Sequence, residues 1–588
     1  MTLRPAPGPQ LPQALAALGR ALGALRLPYA LPGAAQAADR GQLLADQLAD
    51  YVLPRLASMD APLLGVIGGS TGAGKSTLVS SLVGRPVTAA SAIRPTTRRP
   101  ALLHAPSDAP WFETDRILGS LARLRVAEDA PPSPAGQHTP RELELRACSA
   151  LPAGLALLDA PDIDSVVAEN RELAAGLLAS ADMWVFVTTA ARYADAVPWE
   201  HLRAAAQRQV TAAVVLDRVP PGAQGEVEAD LRRRLDAAGL TEAPIFTIPE
   251  TALDPQGLLP AEATAPVRHW LGALAQDAAA RRAVAQRTLA GAIGSALGQA
   301  EILAVEIAAQ EAEHAELVQG AASAHAQALE RLAQATADGS LLRGEVLARW
   351  QEFVGTGDLM RSLESHIGRL RDRLGAALRG RPAPAARVEE AIESSLVGLI
   401  VAEAQRAAMD TERSWRRSAS AAPQLRAALE ALPSHQALER QAISLVRLWQ
   451  GEVLALVRAE GADKRLTARL VSLGVNGAGV LLMILVFAHT GGLTGGEVGI
   501  AGGTALLAQR LLEAVFGDQA MRTMTRRARA DLTERVQALF AQQEGGFIQC
   551  LDAPVPASQT LRAHVEQCRS AAQDLSLDPT STTRQEPR

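Results

Sequence analysis

The feature that most constrains this chain is residues 63–84, LLGVIGGSTGAGKSTLVSSLVG: an apolar run with strand character, a glycine-rich turn, then a helical pattern. The turn reads Gly69, Ser70, Thr71, Gly72, Ala73 and Gly74, and it delivers Lys75, Ser76 and Thr77 to the start of the helix. Glycine lets successive backbone amides turn inward around an anion without Cβ clashes, and the helix aims its positive N-terminal end at the same charge. Spacing and context together make this a P-loop, so residues 69–77 are expected to bind the phosphates of a nucleotide. Lys75 supplies a compact charge for the β- and γ-oxygens, and the Ser76 hydroxyl is placed to ligate Mg2+. Lysine occurs only at 75 and 464 while arginine carries nearly all other positive charge, which sharpens the assignment. An arginine fork fits such a cradle poorly.

At 588 residues the chain exceeds one compact core, and several domains are expected. A net charge of -5 gives no basic field, so no DNA or RNA partner is expected. Only 3% of residues are aromatic and alanine is abundant, which suits long helices packed through small side chains. Cys148, Cys550 and Cys568 have neither metal-site spacing nor an even disulfide set, and fit a reducing compartment. The histidines lack ligand spacing, so no protein-bound transition metal is proposed. The N-terminus mixes proline and arginine with short apolar stretches, and export is not expected.

Downstream of the P-loop, strands are expected near 142–147, 154–159, 183–189, 212–217 and 243–249, with a helix through about 165–180. Alternating strands and helices predict an α/β domain over residues 59–267, a parallel sheet with helices on both faces. Ligands of such sheets sit beyond the carboxyl ends of the strands, where residues 69–76, Asp159 and Asp217 all fall.

From 268 to 463 a helical stalk with coiled-coil character is expected, because Leu289, Ile293, Leu297, Ala300, Leu303 and Ile307 step by three and four. Arg379 to Pro384 marks a turn between long helices, and Gly355-Thr356-Gly357 reads as a loop. Residues 1–58 are expected to form helices packing on head or stalk, and 529–574 to form further helices. Residues 575–588 are polar and read as a disordered tail.

Residues 464–528 are expected to hold a hydrophobic hairpin or paddle. Its apolar part, 470–496, has 27 residues without an acid, lysine or arginine, enough to cross a bilayer at about 1.5 Å per residue. A shorter glycine-rich piece, 498–508, follows. Lys464, Arg465 and Arg469 precede the hairpin, and Arg510, Arg522, Arg526 and Arg527 follow it. Positive flanks on both sides keep both ends cytoplasmic, which places the chain on the cytoplasmic side of the cell membrane. A buried hairpin in a helical core is the other reading of the same composition.

The order of motifs resembles that of P-loop GTPases. Transporter ATPases share the glycine-rich turn, but no LSGGQ-type signature follows, and Asp159 is not followed by a glutamate that could polarise water. SAIRPTTRRP, residues 91–100, resembles the switch I of dynamin-like GTPases, where a threonine closes over Mg2+ and the γ-phosphate. Thr97 is the candidate for that role and Thr96 the reserve.

The GTPase head, flanking helices, long helical stalk and apolar hairpin together resemble bacterial dynamin-like GTPases. LLDAPDIDSVVAENREL, FVTTAARYADAVPW and VVLDRVPP look like an actinobacterial branch of dynamin-like or Era-like proteins. The resemblance implies GTP as substrate, Lys75 and Thr97 as catalytic residues, and Mg2+ held by Ser76, Thr97 and, through water, Asp159. It further implies membrane lipid as a partner and homo-oligomerisation through the GTPase heads.

Two departures stand out. The guanine-reading box would end in a carboxylate, yet this chain has Asp217-Arg218-Val219-Pro220. Arg218 replaces the lysine that packs along the base, and Asp217 itself could turn to the base. Asp162 stands where the family has glycine, and it or Asp164 is expected to face solvent or Arg98 and Arg99. Slow hydrolysis is therefore expected. The alternatives are a weakly hydrolysing, membrane-anchored switch that recruits a partner protein, and a ribosome-associated Era-like GTPase, whose basic RNA-binding module the sequence lacks.

Overall fold

The computed structural model describes residues 10–88, 99–114, 117–119, 121–132, 142–165, 168–337, 340–342, 344–355, 384–460, 475–487, 508–510, 512–513, 515–551, 555 and 557–573. They divide into two compact units. The first gathers Met1–Leu27, Pro32–Glu311 and Val555–Arg588, and the second Pro28–Leu31 and Ala312–Pro554.

The first unit is built on an eight-stranded sheet: β1 Leu63–Gly69, β2 Ala101–His104, β3 Ala122–Val126, β4 Glu142–Ala147, β5 Leu155–Asp159, β6 Met183–Thr189, β7 Thr211–Val219 and β8 Ile245–Pro249. Their spatial order is β3-β4-β2-β5-β1-β6-β7-β8. Six of the seven strand pairs are parallel. The expected parallel sheet with helices on both faces is thus present, with one antiparallel pair. β2 runs antiparallel to β5, so β2, β3 and β4 oppose the other five. Two of those three strands were invisible in the sequence: β2 has four residues, too few to show a period, and β3, ARLRV, is largely exposed and carries two arginines.

The central strands are apolar throughout because both faces are covered. Alternation assigns Leu64 and Val66 of β1, Ala156 and Leu158 of β5, and Trp184 and Phe186 of β6 to one core, which also holds Leu177, Leu202 and Leu231 from three helices. Leu63, Ile67, Leu155, Leu157, Met183, Val185 and Val187 face the other core, with Leu78 and Leu82 of the Lys75–Val83 helix and Val267 and Leu271 of the Ala261–Gln276 helix. A third core of this unit is helical. The Leu289–Ile307 stripe expected from the sequence packs with Leu11, Leu15, Leu18 and Leu22 near the N-terminus and with Leu561, Val565 and Cys568 near the C-terminus.

A buried polar node ties this helical layer to the sheet. Asp182, fully buried just before β6, pairs with the Arg55 guanidinium and accepts from the Tyr51 hydroxyl (3.1 Å) and the Leu64 amide (2.7 Å). Arg55 also donates to the Ala61 and Pro62 carbonyls, each at 3.0 Å, while Thr288 donates to the Asp182 carbonyl at 2.9 Å. Burial, then the Asp182 charge, pushes the Tyr51 phenol well above its usual range.

The second unit is helical. Leu438, Ala442, Val446, Trp449, Val453 and Val457 step along the His435–Glu460 helix into one core with Ile392, Leu396 and Ile400 of Pro384–Trp415 and Met524, Leu532 and Val536 of Asp518–Gln549. The apolar segment singled out in the sequence forms the Val475–Phe487 helix in that same core, and Val480 to Phe487 are buried. The Trp449 and Phe487 rings meet at a tilt with centroids 5.5 Å apart, and Arg529 donates to the Val486 carbonyl at 2.6 Å. The described part of this helix has 13 residues, a rise of about 20 Å. Residues 461–474 and 488–507, which hold the rest of the expected hairpin, lie outside the described residues, as do the expected turn at 379–383 and the tail. Among the described residues, one helix, Ala278–Ala337, is long and apolar enough to cross a membrane by length and composition.

Removing one partner of the Asp182 node strands the other charge in the interior. Arg55→Ala is expected to destabilise the first unit by about 3–5 kcal/mol, read as a lowered denaturant midpoint. A variant unfolding like the parent chain would show that the pair carries no such role.

Candidate nucleotide site

The P-loop leaves β1 at Gly69 and enters the helix at Lys75. Gly69 has φ +152, and a Cβ there would collide with the Val187 carbonyl of β6; Gly74, at φ +96, has no room for one beside the Asp217 carboxylate. These two glycines are therefore demanded by the strand and the side chain pressed against the loop.

Lys75 is buried and donates to the carbonyls of Gly69 (3.0 Å) and Ser70 (3.1 Å). Its third partner is Asp162, ion-paired at 2.5 Å and itself only 7% exposed. This corrects the expectation that Asp162 faces solvent or the switch arginines. Arg99 instead pairs with Glu142 at 2.6 Å, and Arg98 lies outside the described residues. The reason is electrostatic: a buried ammonium requires an anion, and Asp162 is within reach.

Asp164 is also engaged. Its Oδ1 accepts from the Thr71 amide (2.6 Å) and hydroxyl (2.8 Å), and its Oδ2 pairs with Arg192 at 2.7 Å. Burial raises this carboxyl, but those donors outweigh it and hold it below its ordinary value. Arg192 also donates to the Thr71 carbonyl (2.8 Å) and to Asp195 (2.8 Å), and so braces the P-loop from the end of β6. Nothing in the sequence marks Arg192 for this role, since the contact spans 121 positions.

Asp159 ends β5, in register with Ile67, and is fully buried. Its Oδ2 accepts from the Ser76 hydroxyl at 2.8 Å, while its Oδ1 is buried without a hydrogen-bond partner. Burial pushes its carboxyl up to about 6 against the pull of Ser76 and Lys75. A hydroxyl and a half-satisfied carboxylate side by side suit a hard, oxygen-seeking cation, so the residues present fit Mg2+. Asp217, opposite Thr189 in β7, accepts from the following Arg218 amide at 2.9 Å. Arg218 adopts φ 52 and donates from its guanidinium to the Gly72 carbonyl. Both side chains of the altered base box thus lie against the P-loop. Thr96 and Thr97 lie outside the described residues.

Comparison with known proteins agrees on the domain. Residues 65–216 match the sequence model of the Dynamin family. That match falls within the first unit's mostly parallel eight-stranded sheet flanked by helices, and the chain adds a large helical region beyond it. No curated protein matches the chain. Solved structures align over most of both chains but at low similarity. Two are described as an oligomerised bacterial dynamin pair providing a mechanism for long-range sensing and tethering of membranes. Each has 10% identity and covers 96% of this chain and 95% of the other, with TM-scores of 0.39 and 0.40. A third, the LeoA bacterial dynamin GTPase from ETEC, has 12% identity and a TM-score of 0.23, covering 98% and 97%.

Gly69→Ala should strain the loop by about 1–3 kcal/mol and weaken nucleotide binding at least roughly tenfold in a fluorescent-nucleotide titration. Unchanged binding would mean that the loop does not cradle the phosphates.

Proposed function

We propose that this chain binds GTP and hydrolyses it to GDP and phosphate in the manner of dynamin-like proteins, and that it couples this cycle to self-association or remodelling at a membrane. The observation that carries the reading is a complete P-loop, with Lys75 and the Ser76–Asp159 pair in place, inside a domain matched by the Dynamin family.

In this reading the amides of residues 69–77 and the N-terminal end of the Lys75–Val83 helix hold the phosphates, and Lys75 neutralises charge on the β- and γ-oxygens. Bound Mg2+ supplies further neutralisation of that charge. Ser76 would hold it directly, Asp159 through water, and Thr97 from switch I. Arg218 and Asp217 stand at the base side, and guanine preference follows from the family rather than from a base-reading carboxylate. Arg192 and Asp164 keep the loop in shape for these contacts.

Membrane attachment through the 464–528 hairpin would require Val475–Phe487 to leave the helical core. Lipid and the second unit then compete for the same apolar side chains, Val480 to Phe487. A second reading, a membrane-anchored switch that hydrolyses little and recruits a partner protein, is favoured by the Asp162 carboxylate at Lys75.

Phosphate release from GTP and ATP, with and without liposomes, separates these readings. GTP turnover that rises on liposomes, stops on Mg2+ chelation and falls on the order of a hundredfold in Lys75→Ala is expected. Tight GTP binding without turnover would select the switch, a preference for ATP would overturn the branch, and full activity of Lys75→Ala would overturn the site. Alkaline extraction of membranes should leave the chain in the pellet; complete release would remove the hairpin as an anchor.

A further inference from the structure

Asp162 occupies the position three residues after Asp159, where the family pattern has glycine and the backbone amide faces the γ-phosphate. In this chain that position places a carboxylate on the P-loop lysine itself. The backbone around it is pinned. The Ala160 amide donates to the Ile67 carbonyl (3.3 Å), the Ile163 amide to the Gly69 carbonyl (3.5 Å) and the Ser165 amide to the Asp162 carbonyl (3.3 Å). Asp164, two residues on, is tied to Thr71 and Arg192. These contacts position the backbone at Asp162, and from there its carboxylate reaches Lys75.

We propose that Asp162 is an intramolecular competitor for the terminal phosphate, a specificity-determining residue that sets how tightly this site holds a nucleoside triphosphate relative to the diphosphate. Lys75 has one ammonium for two claimants. In the ligand-free site Asp162 satisfies it; a γ-phosphate arriving at the same ammonium must take over that pairing, and a displaced carboxylate that stays nearby repels it. A diphosphate lacks the group that meets this carboxylate and loses less. The site would then be easily emptied and refilled, with triphosphate affinity set by how far Asp162 withdraws. This rests on the proposed reading of the site as a nucleotide pocket, which Lys75→Ala tests separately.

The experiment is a titration of the full-length chain with fluorescent GTP and GDP analogues in Mg2+, for the parent, Asp162→Asn, Asp162→Gly and Lys75→Ala. Asp162→Asn is expected to bind GTP on the order of tenfold more tightly, with a smaller gain for GDP. Its ligand-free melting temperature should fall, because Lys75 loses its counter-ion, and the rise in that temperature on adding GTP should exceed that of the parent. A merely structural role would lower both states together. Asp162→Gly should move GTP binding in the same direction and stands in if the asparagine variant does not fold. GTP binding unchanged or weakened in the folded variants, with Lys75→Ala still abolishing it, would overturn the competition, as would equal gains for GTP and GDP. Binding by Lys75→Ala equal to that of the parent would overturn the pocket assignment instead.

Discussion

A buried ammonium that must be neutralised organises the nucleotide side of this protein. Lys75 sits at the start of a helix whose own N-terminal end is positive, so two like charges converge on the anion cradle. The Gly69 and Ser70 carbonyls satisfy part of the demand, and the Asp162 carboxylate supplies the countercharge. Asp164, Asp217 and Asp159 likewise lie against Thr71, Gly74 and Ser76, each next to a group that nucleotide or Mg2+ would meet. The site is thus a cradle whose Lys75 ammonium is answered by one of its own carboxylates.

The opposite ends of the same strands are governed by a second buried charge. Asp182 precedes β6 as the P-loop follows β1, and β1 pairs with β6. Tyr51 and Arg55 before the sheet meet its carboxylate and Thr288 after the sheet meets its backbone carbonyl, so segments far apart in the chain converge on one residue. In the β1–β6 pair, the leading ends carry the Arg55–Asp182 ion pair and the trailing ends the Lys75–Asp162 pair. Taking either carboxylate away leaves a cation in low dielectric, a cost to folding in both places.

The apolar helix Val475–Phe487 shows how composition and context divide. Its run of large aliphatic side chains satisfies a lipid surface and a protein core equally, since both exclude water. In the described structure it is surrounded by the helices that carry Ile400, Trp449 and Val536. The arginine that meets its Val486 carbonyl, Arg529, comes from the Asp518–Gln549 helix.

Much of this architecture was legible in the order of residues. The P-loop is a local device whose glycines, lysine and serine act on a single turn, so its spacing, between an apolar strand and a helical pattern, identifies it. The central strands β5, β6 and β7 announce themselves because strands covered on both faces run apolar along most of their length, up to polar residues at their carboxyl ends. The stepping of Leu289 to Ile307 likewise records one buried helix face. Tertiary structure alone decided the direction of β2, the pairing of β3 with β4, and the partners of Asp162, Asp164 and Arg192. Short or exposed strands leave no periodic trace, and a charge carries no mark in the sequence of the distant group that will neutralise it. For Asp162 that group lies 87 positions earlier, and only folding brings the ammonium within reach.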